Sequence, residues 1–547
     1  MRNLLGDKTS KLAPAQIASL DILKVVDKIC KENLLKYTLI NYALWGAVEY
    51  QGFVPWDARL QIGLFYNDYL KLIEIIKSEY KNTDYYVIDE NNCNYFEEFY
   101  VQIAKRSRVV LPENRKKDEM YYDYTLDLYP IYYAGDTIKE FKKFEKEFLH
   151  LFRCVRARKS APDLVRLKNV CMKARQAYYY KERQNISDPY QKAKKLLMKY
   201  SNPTKYVKIP FGKKSKGCIK LASTYMEFEN ITFEGYTFPA IKNPEQWLLN
   251  LYGTKTMNKL RTRPVNQAIL EGPEIMRRVQ LVELDMLKEL DRICRKHNIK
   301  YNLGAGTLLG AVRHGGFIPW DDDIDVFMLY EDYMRFCEVA KYELDENKYF
   351  LRTQETDQDC NLTFVQIKRN GTIFSKANRE QYNTHSGIAI DIFPFFNGAR
   401  SPFIHYLQDK ICKFYKTMTW AHMGANSERC FFRRKYYQLL AKNSNKKSYQ
   451  KYMKYASIVK QKSDRLSYFN ILRNIQRNPL NSRKNHENLI EMEFEGHLFF
   501  VSENWDKILR YCYSDDYERY PIIALRNARH LPAVIDVGDL YSYDKEN

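Results

Sequence analysis

The sequence predicts an α/β (α+β) chain of two tandem, related domains, each a short mixed sheet with helices packed against it. Three observations carry that prediction: a long internal repeat, a helical stretch leading each copy, and period-two hydrophobic alternation further on. Residues 301–336 (YNLGAGTLLGAVRHGGFIPWDDDIDVFMLYEDYMRF) align without a gap on residues 37–72, at an offset of 264, with 14 of 36 positions identical. The same offset relates residues 20–24 to 284–288, 101–103 to 365–367 and 126–130 to 390–394. Near the ends it becomes 261, where Phe233-Glu234-Gly235 pairs with Phe494-Glu495-Gly496. A period this long marks a duplicated globular domain rather than a solenoid, and 547 residues exceed what one core holds. The seam is expected at 254–274, rich in Thr, Arg, Asn and Pro, which gives units 1–262 and 263–547.

The elements of the second copy follow from its residue pattern. Val279, Val282, Met286, Leu290 and Ile293 recur at helical spacing. Tyr301-Asn302-Leu303 reads as a short strand, Gly304-Ala305-Gly306-Thr307 as a tight turn, and Leu308 to His314 as a helix. Asp321 to Met328 alternates as a strand does, placing Asp321, Asp323 and Asp325 on one face and Ile324 and Val326 on the other. Residues 388–393 alternate too, with Asp391 opposite Ile388, Ile390 and Ile392. Segments 151–221 and 400–490 are basic and rich in tyrosine, readable as solvated helical faces or as a surface for an anionic polymer or lipid head groups.

A net charge of +21 suits anionic partners: phosphorylated substrates, an anionic membrane surface or nucleic acid. Eleven cysteines without a CxxC pair argue against a zinc module and for a reducing compartment. The opening MRNLLGDKTSKLAP lacks a signal-peptide core, and no run of 18 apolar residues reads as a membrane span. The expected location is cytoplasmic, with peripheral association at the inner membrane face as a further expectation.

The chemistry lies where the copies differ. Asp323 and Asp325, two apart, converge on one point, and Asp391 can join them from a neighbouring strand. Crowded carboxylates repel unless a cation neutralises them, and magnesium or manganese does so while leaving positions for phosphate and water. The first copy has Arg59 and Gln61 where the second has Asp323 and Asp325, yet keeps Leu60 and Ile62, so the fold does not require the pair. Gly306 and Thr307 open a helix whose backbone amides can receive a phosphate; Tyr42 and Ala43 stand opposite them. Arg313, His314, Lys368 and Arg369 are candidate partners for donor or acceptor phosphate. Arg313 faces Glu49 in the first copy. His314 and His385 are candidate general bases, as is a carboxylate of the acidic trio itself.

GTLLGAVRHGGFIPWDDDID, followed by IAIDIFPF and FEGHLFF, resembles the LicD family of phosphotransferases, related to the fukutin group and built on the nucleotidyltransferase fold. The resemblance spans the second unit and is most specific at residues 304–328. It implies transfer of a substituted phosphate, typically phosphocholine from CDP-choline, to a hydroxyl of a cell-surface or lipid-linked glycan, as in lipopolysaccharide or teichoic acid biosynthesis. It implies magnesium held by Asp323, Asp325 and Asp391, with Gly306 and Thr307 beside the nucleotide phosphates. Arg526 and His530 match the family's closing Arg and His loosely, and Ser514 departs from a usual Gly, which the first unit has at Gly253. The first unit resembles the same family but lacks the metal pair and the glycine turn, so it is expected to be an inactive copy that keeps Asp127.

The expected activity of the second unit is metal-dependent attack of an acceptor hydroxyl on a CDP-linked donor, releasing CMP. Glycerol phosphate, ribitol phosphate and phosphoethanolamine are alternative transferred groups. A nucleotidyltransferase leaving a nucleotide on the acceptor is a second reading. A basic nucleic-acid or membrane-binding module is a third, but it leaves the one-sided carboxylates unexplained, so nucleic acid is set aside as a partner.

Overall fold

The structure is a computed structural model describing residues 12–93, 96–109, 111–112, 122–157, 170–357, 359–376, 384–428, 430–443, 445–467, 479–521, 526, 528, 530 and 532–542. Most of the N-terminal segment in which no signal peptide was read, residues 1–11, lies outside them, as do 158–169 and 468–478 of the two basic stretches.

The strands in chain order are β1 (Tyr37–Leu39), β2 (Leu60–Phe65), β3 (Tyr85–Ile88), β4 (Val101–Lys105), β5 (Tyr124–Tyr133), β6 (Val207–Lys208), β7 (Phe228–Phe233), β8 (Tyr236–Ile241), β9 (Asn302–Leu303), β10 (Asp325–Leu329), β11 (Tyr349–Arg352), β12 (Val365–Arg369), β13 (Ile373–Lys376), β14 (Ala389–Asn397), β15 (Leu466–Ser467), β16 (Leu489–Phe494), β17 (His497–Ser502) and β18 (Pro532–Asp536). Twelve of them form two six-stranded mixed sheets, and the other six pair as β7-β8, β13-β18 and β16-β17. The first runs β1-β2-β5-β4-β3 with β6 on β5; the second runs β9-β10-β14-β12-β11 with β15 on β14. The order is the same when corresponding strands are matched. In each sheet only the central pair, β2 with β5 and β10 with β14, is parallel.

Each sheet is covered by the helix that precedes it. The stretch predicted from Val279 to Ile293 is helix Pro273–Lys296, and those five apolar residues are buried. Two short helices, Thr254–Arg261 and Gln267–Glu271, occupy the expected seam. Asn266 starts the second by accepting the Ala268 N–H at 3.1 Å, and Gly272, at φ +85°, ends it before Pro273 begins the long helix.

The shared scaffold residues have matching tasks. A Cβ on Gly46 would meet the Gly52 carbonyl oxygen at 2.1 Å, and one on Gly310 would meet that of Gly316 at 2.5 Å, so both helices need Gly where the chain folds back. The hairpins β7-β8 and β16-β17 turn at Glu234-Gly235 and Glu495-Gly496. Glu234 accepts the Phe53 N–H and Glu495 the Phe317 N–H, each at 2.9 Å. The hairpin thereby latches the loop that leads into Pro-Trp-Asp, and Arg277 adds a buried ion pair to Glu495 at 2.8 Å.

Two expectations are corrected. The strand expected from Asp321 starts only at Asp325; residues 321–324 form the run before it, and the ladder reaches back through the Asp391 N–H to the Ile324 carbonyl at 2.9 Å. The Gly304–Thr307 turn is already helical from Ala305, with Gly304 as N-cap. Ala305 takes a left-handed φ of +40°, as its counterpart Asn41 does at +51°, so the change of direction is made within one residue.

Candidate active site

The site lies where the parallel strand pair meets the start of helix Ala305–His314. Register places Asp325 beside Asp391 on β10 and β14, as it places Gln61 beside Asp127 on β2 and β5. Gln366, the neighbour of Asp391 on β12, donates to its Oδ1 at 2.6 Å; Gln102 does the same for Asp127 at 2.8 Å. Burial pushes the Asp391 carboxyl up to about 6, and the charge of Asp323 adds to the rise. Gly304 donates its N–H to the Asp325 carbonyl at 2.9 Å, and the Asp325 N–H is bonded to Thr307 Oγ1 at 2.8 Å. Thr307 thus fixes the strand that carries the carboxylate. A Cβ on Gly306 would come 2.5 Å from Asp321 Oδ2; a carboxylate therefore stands at the helix start, where its negative charge suits the helix dipole.

Among the described residues, Asp322, Asp323 and His530 bring one ligand atom each to within 4.8 Å of one another. His530 reaches Asp322 through its backbone N–H at 3.0 Å and its ring Nδ1 at 3.1 Å, while Nε2 lies 3.8 Å from Asp323. Burial lowers the imidazole, but the bond to Asp322 and the nearby carboxylates outweigh it and hold His530 above its ordinary value.

Sequence reasoning left Asp321, Asp322 and His530 out of the metal set and missed one member of the group entirely. Glu283, on helix Pro273–Lys296, is 1% exposed, and its Oε2 has no hydrogen-bond partner among the described residues. Burial first, then the charges of Asp323, Asp322, Asp321 and Asp391, hold its carboxyl far above the usual range. The signal was present in the repeat: at an offset of 264 Glu283 faces Ser19, one residue before the matched block at Leu20. Six carboxylates and an imidazole gathered this way, one of them with a buried oxygen that has no hydrogen-bond partner among the described residues, fit a hard divalent cation and fit poorly as an apolar or neutral cleft.

The other predicted residues are engaged by carbonyls, ring nitrogens and aromatic faces. Arg313 donates to the Tyr517 carbonyl at 3.1 Å and to His314 Nδ1 at 3.2 Å and stacks over Tyr520, and burial lowers it to about 10. His314 is fully buried between Tyr520 and Trp320. Lys368 shares the Gln366 face but donates to the Gly387 carbonyl at 2.9 Å. Arg369 donates to the Lys348 carbonyl at 3.2 Å and covers the Tyr349 ring. His385 accepts the Gly387 N–H and packs flat on Phe350. Arg526 lies over Trp320 and Tyr520.

In the first unit the same place is closed by its own side chains. Arg59 donates from Nε and Nη2 to the fully buried Asp57 at 2.9 and 2.7 Å. Gln61 accepts the Tyr42 N–H at 3.2 Å, and the Tyr42 ring stacks on Tyr252 with centroids 6.1 Å apart.

Residues 298–444 match the family described as LicD/FKTN/FKRP, nucleotidyltransferase domain. The second unit therefore carries a LicD-family domain. The chain is 49% identical over 80 residues to the lipopolysaccharide cholinephosphotransferase LicD of Haemophilus influenzae, covering 15% of this chain and 30% of the relative. It is 31% identical over 103 residues to the ribitol 5-phosphate transferase FKRP of Mus musculus, 18% of this chain and 17% of the relative. An uncharacterised protein of Rickettsia prowazekii is 26% identical over 184 residues, 31% of this chain and 64% of its own length. The chain thus spans less than two thirds of each of these relatives.

Proposed function

We propose that the second unit transfers a substituted phosphate from a CDP-activated donor to a hydroxyl of a cell-surface or lipid-linked glycan, releasing CMP. Two relatives are named for phosphate-group transfer, one to lipopolysaccharide with cholinephosphate, the other of ribitol 5-phosphate. Phosphocholine is the favoured group because the 49% identity belongs to the cholinephosphotransferase. The observation that carries the reading is the one-sided acidic cluster: the carboxylates surround the helix start in the second unit, and the first has Arg59 and Gln61 there instead.

Asp323, Asp325 and Asp391 would hold magnesium or manganese, with Asp322 and His530 alongside, and the bound ion's charge would neutralise phosphoryl oxygens. Gln366 keeps the Asp391 carboxylate oriented by its 2.6 Å bond. His530, held at Asp322 by two contacts, is placed to accept the acceptor's proton in place of His314, which is buried under Tyr520. The first unit is an inactive copy, its cleft neutralised by a guanidinium that belongs to the chain.

Incubating the full chain with magnesium and CDP-choline, CDP-ethanolamine, CDP-glycerol or CDP-ribitol tests this by CMP release in the presence of a glycan acceptor. Release with one donor, lost on chelation and in Asp323→Asn, supports the reading. No release from any donor, or a product heavier by a whole nucleotide, sinks it.

A further inference from the structure

Helix Pro402–Thr419 presents an apolar stripe to solvent. Phe403, Leu407, Ile411 and Phe414 lie on one line at spacings of four, four and three, with Ile404 and Tyr406 on either side. All six are exposed, Phe403 to 69%. The opposite face, His405, Gln408 and Cys412, is the one that packs inward. A second exposed stripe follows on helix Phe431–Leu440, where Phe431, Phe432, Tyr436 and Leu439 face out, Phe432 to 81%.

The first unit supplies an internal control. Its helix Ile138–Arg156 occupies the equivalent place, starting after Thr137 as the other starts after Ser401. Its inward residues Phe141, Phe144 and Phe148 match His405, Gln408 and Cys412 at an offset of 264. At the outward positions it has Lys139, Glu140, Lys142, Lys143, Glu147 and His150. Packing therefore does not require the stripe, and contiguous apolar surface of this kind marks an interaction site.

Charge decides the occupant. Residues 402–456 contain 12 Lys and Arg against 2 Asp and Glu. A second copy of this chain docked stripe to stripe would bring like charge against like charge. An anionic bilayer meets both features at once: apolar side chains enter the acyl boundary and the lysines reach the head groups. Lys410 over the Tyr406 ring at 4.9 Å and Lys435 over Phe431 at 5.9 Å place ammonium groups at the margins of the stripes, as such a surface needs. No helix of the described residues is long and apolar enough to cross a membrane, so the contact lies in the plane of the interface.

We propose that helices Pro402–Thr419 and Phe431–Leu440 form an interfacial docking surface for an anionic lipid bilayer. The proposal goes beyond the transfer reading and does not rest on it. Flotation of the full chain with phosphatidylcholine vesicles, with and without phosphatidylglycerol, tests it. The protein should float with the anionic vesicles about tenfold more than with the neutral ones and be released by salt. The triple variant Phe403→Lys, Leu407→Lys, Ile411→Glu carries the first unit's residues and should lose about tenfold of that binding while keeping its circular dichroism and melting temperature. The pair Phe432→Ser, Leu439→Ser reads the second helix independently, also as a loss. Wild-type protein that stays at the bottom with anionic vesicles overturns the proposal, as does full binding by both variants. A dimer in sedimentation that the triple variant dissolves assigns the stripe to a second copy and overturns it too.

Discussion

The two sheets share strand order, a parallel central pair, a Gln-held aspartate and a glutamate latch, and they differ at the mouth of that pair. In the second, Asp321, Asp322, Asp323, Asp325, Asp391 and Glu283 gather around a helix start. In the first, Ala58, Arg59, Gln61 and Ser19 stand at the positions of Asp322, Asp323, Asp325 and Glu283. The difference separates what folding needs from what chemistry needs. Asp127 shows that one buried carboxylate is tolerated for the architecture, since it too is pushed up to about 6 by burial while Gln102 holds it. Asp321 likewise has a buried counterpart in Asp57, whereas Asp322, Asp323, Asp325 and Glu283 have none.

The comparison breaks most sharply at Asp323 and Asp127. Asp323→Asn or Asp391→Asn should lower transfer by about a thousandfold or more, because charge stabilisation at the reacting phosphate is lost; Asp127→Asn should leave it within about twofold. Steady-state CMP release at saturating magnesium measures both, and an Asp127→Asn enzyme without activity but with an intact fold would reverse the assignment of the active unit. Next in size is Arg59→Ala. It strands Asp57, which is 0% exposed, without the guanidinium that now holds it. Removing one partner of a fully buried pair costs about 3–5 kcal/mol; with the Arg59 side chain 27% exposed and the backbone N–H of residue 59 still bonded to Asp57, a loss of about 1–3 kcal/mol is expected, visible as a lower urea midpoint with turnover per folded molecule unchanged. A midpoint that does not move would mean the first unit's cleft is not neutralised in the way described.

Glu283 sharpens the comparison within the second unit. Glu283→Ser installs the first unit's residue, and it should reduce transfer about 10- to 100-fold and raise the magnesium concentration needed for half-maximal rate. The free protein should become more stable, since a buried carboxyl without a bond to one oxygen is removed. Wild-type kinetics in the Ser variant would make Glu283 a bystander to the cluster.

Much of this was readable from the residues, because a repeat aligns two solutions to one folding problem. The shared architecture of the two units, the helix Pro273–Lys296 and a neighbouring strand that carries Asp391 follow from period and offset; the strand order and the register of Asp325 beside Asp391 do not. The limits of β10 were not readable: Asp321 to Ile324 alternate like a strand, but the chain leaving Pro319 reaches the ladder only at Ile324. The roles of basic residues were least legible. Arg313, His314, Lys368 and Arg369 stand next to acidic motifs in sequence, yet carbonyls and aromatic rings engage them in space. Sequence distance hid His530 from Asp322, 208 positions away, and a helical neighbour of apolar residues such as Glu283 reads as a surface acid until burial is known.

The smallest expected effect tests whether Asp127 is a remnant that the first unit merely tolerates. Its folded carboxyl titrates at about 6 against an ordinary value of 3.8. Between those values the folded state keeps a proton that the unfolded chain has released, so stability falls as pH rises through that window and stays lowered above it. The shift sets a ceiling of ~3 kcal/mol on the gain from removing the charge. An asparagine amide at this position has donors that also need partners in a buried site, so Asp127→Asn should stabilise by about 1 kcal/mol at pH 8 and by nothing at about pH 4. Urea midpoints of both proteins at the two pH values read this directly. An equal gain at both would mean that folding leaves the Asp127 pKa where it is in the unfolded chain; a gain confined to acid would mean that the carboxylate is stabilised in the fold as an anion, and the first unit would then be holding charge for a purpose of its own.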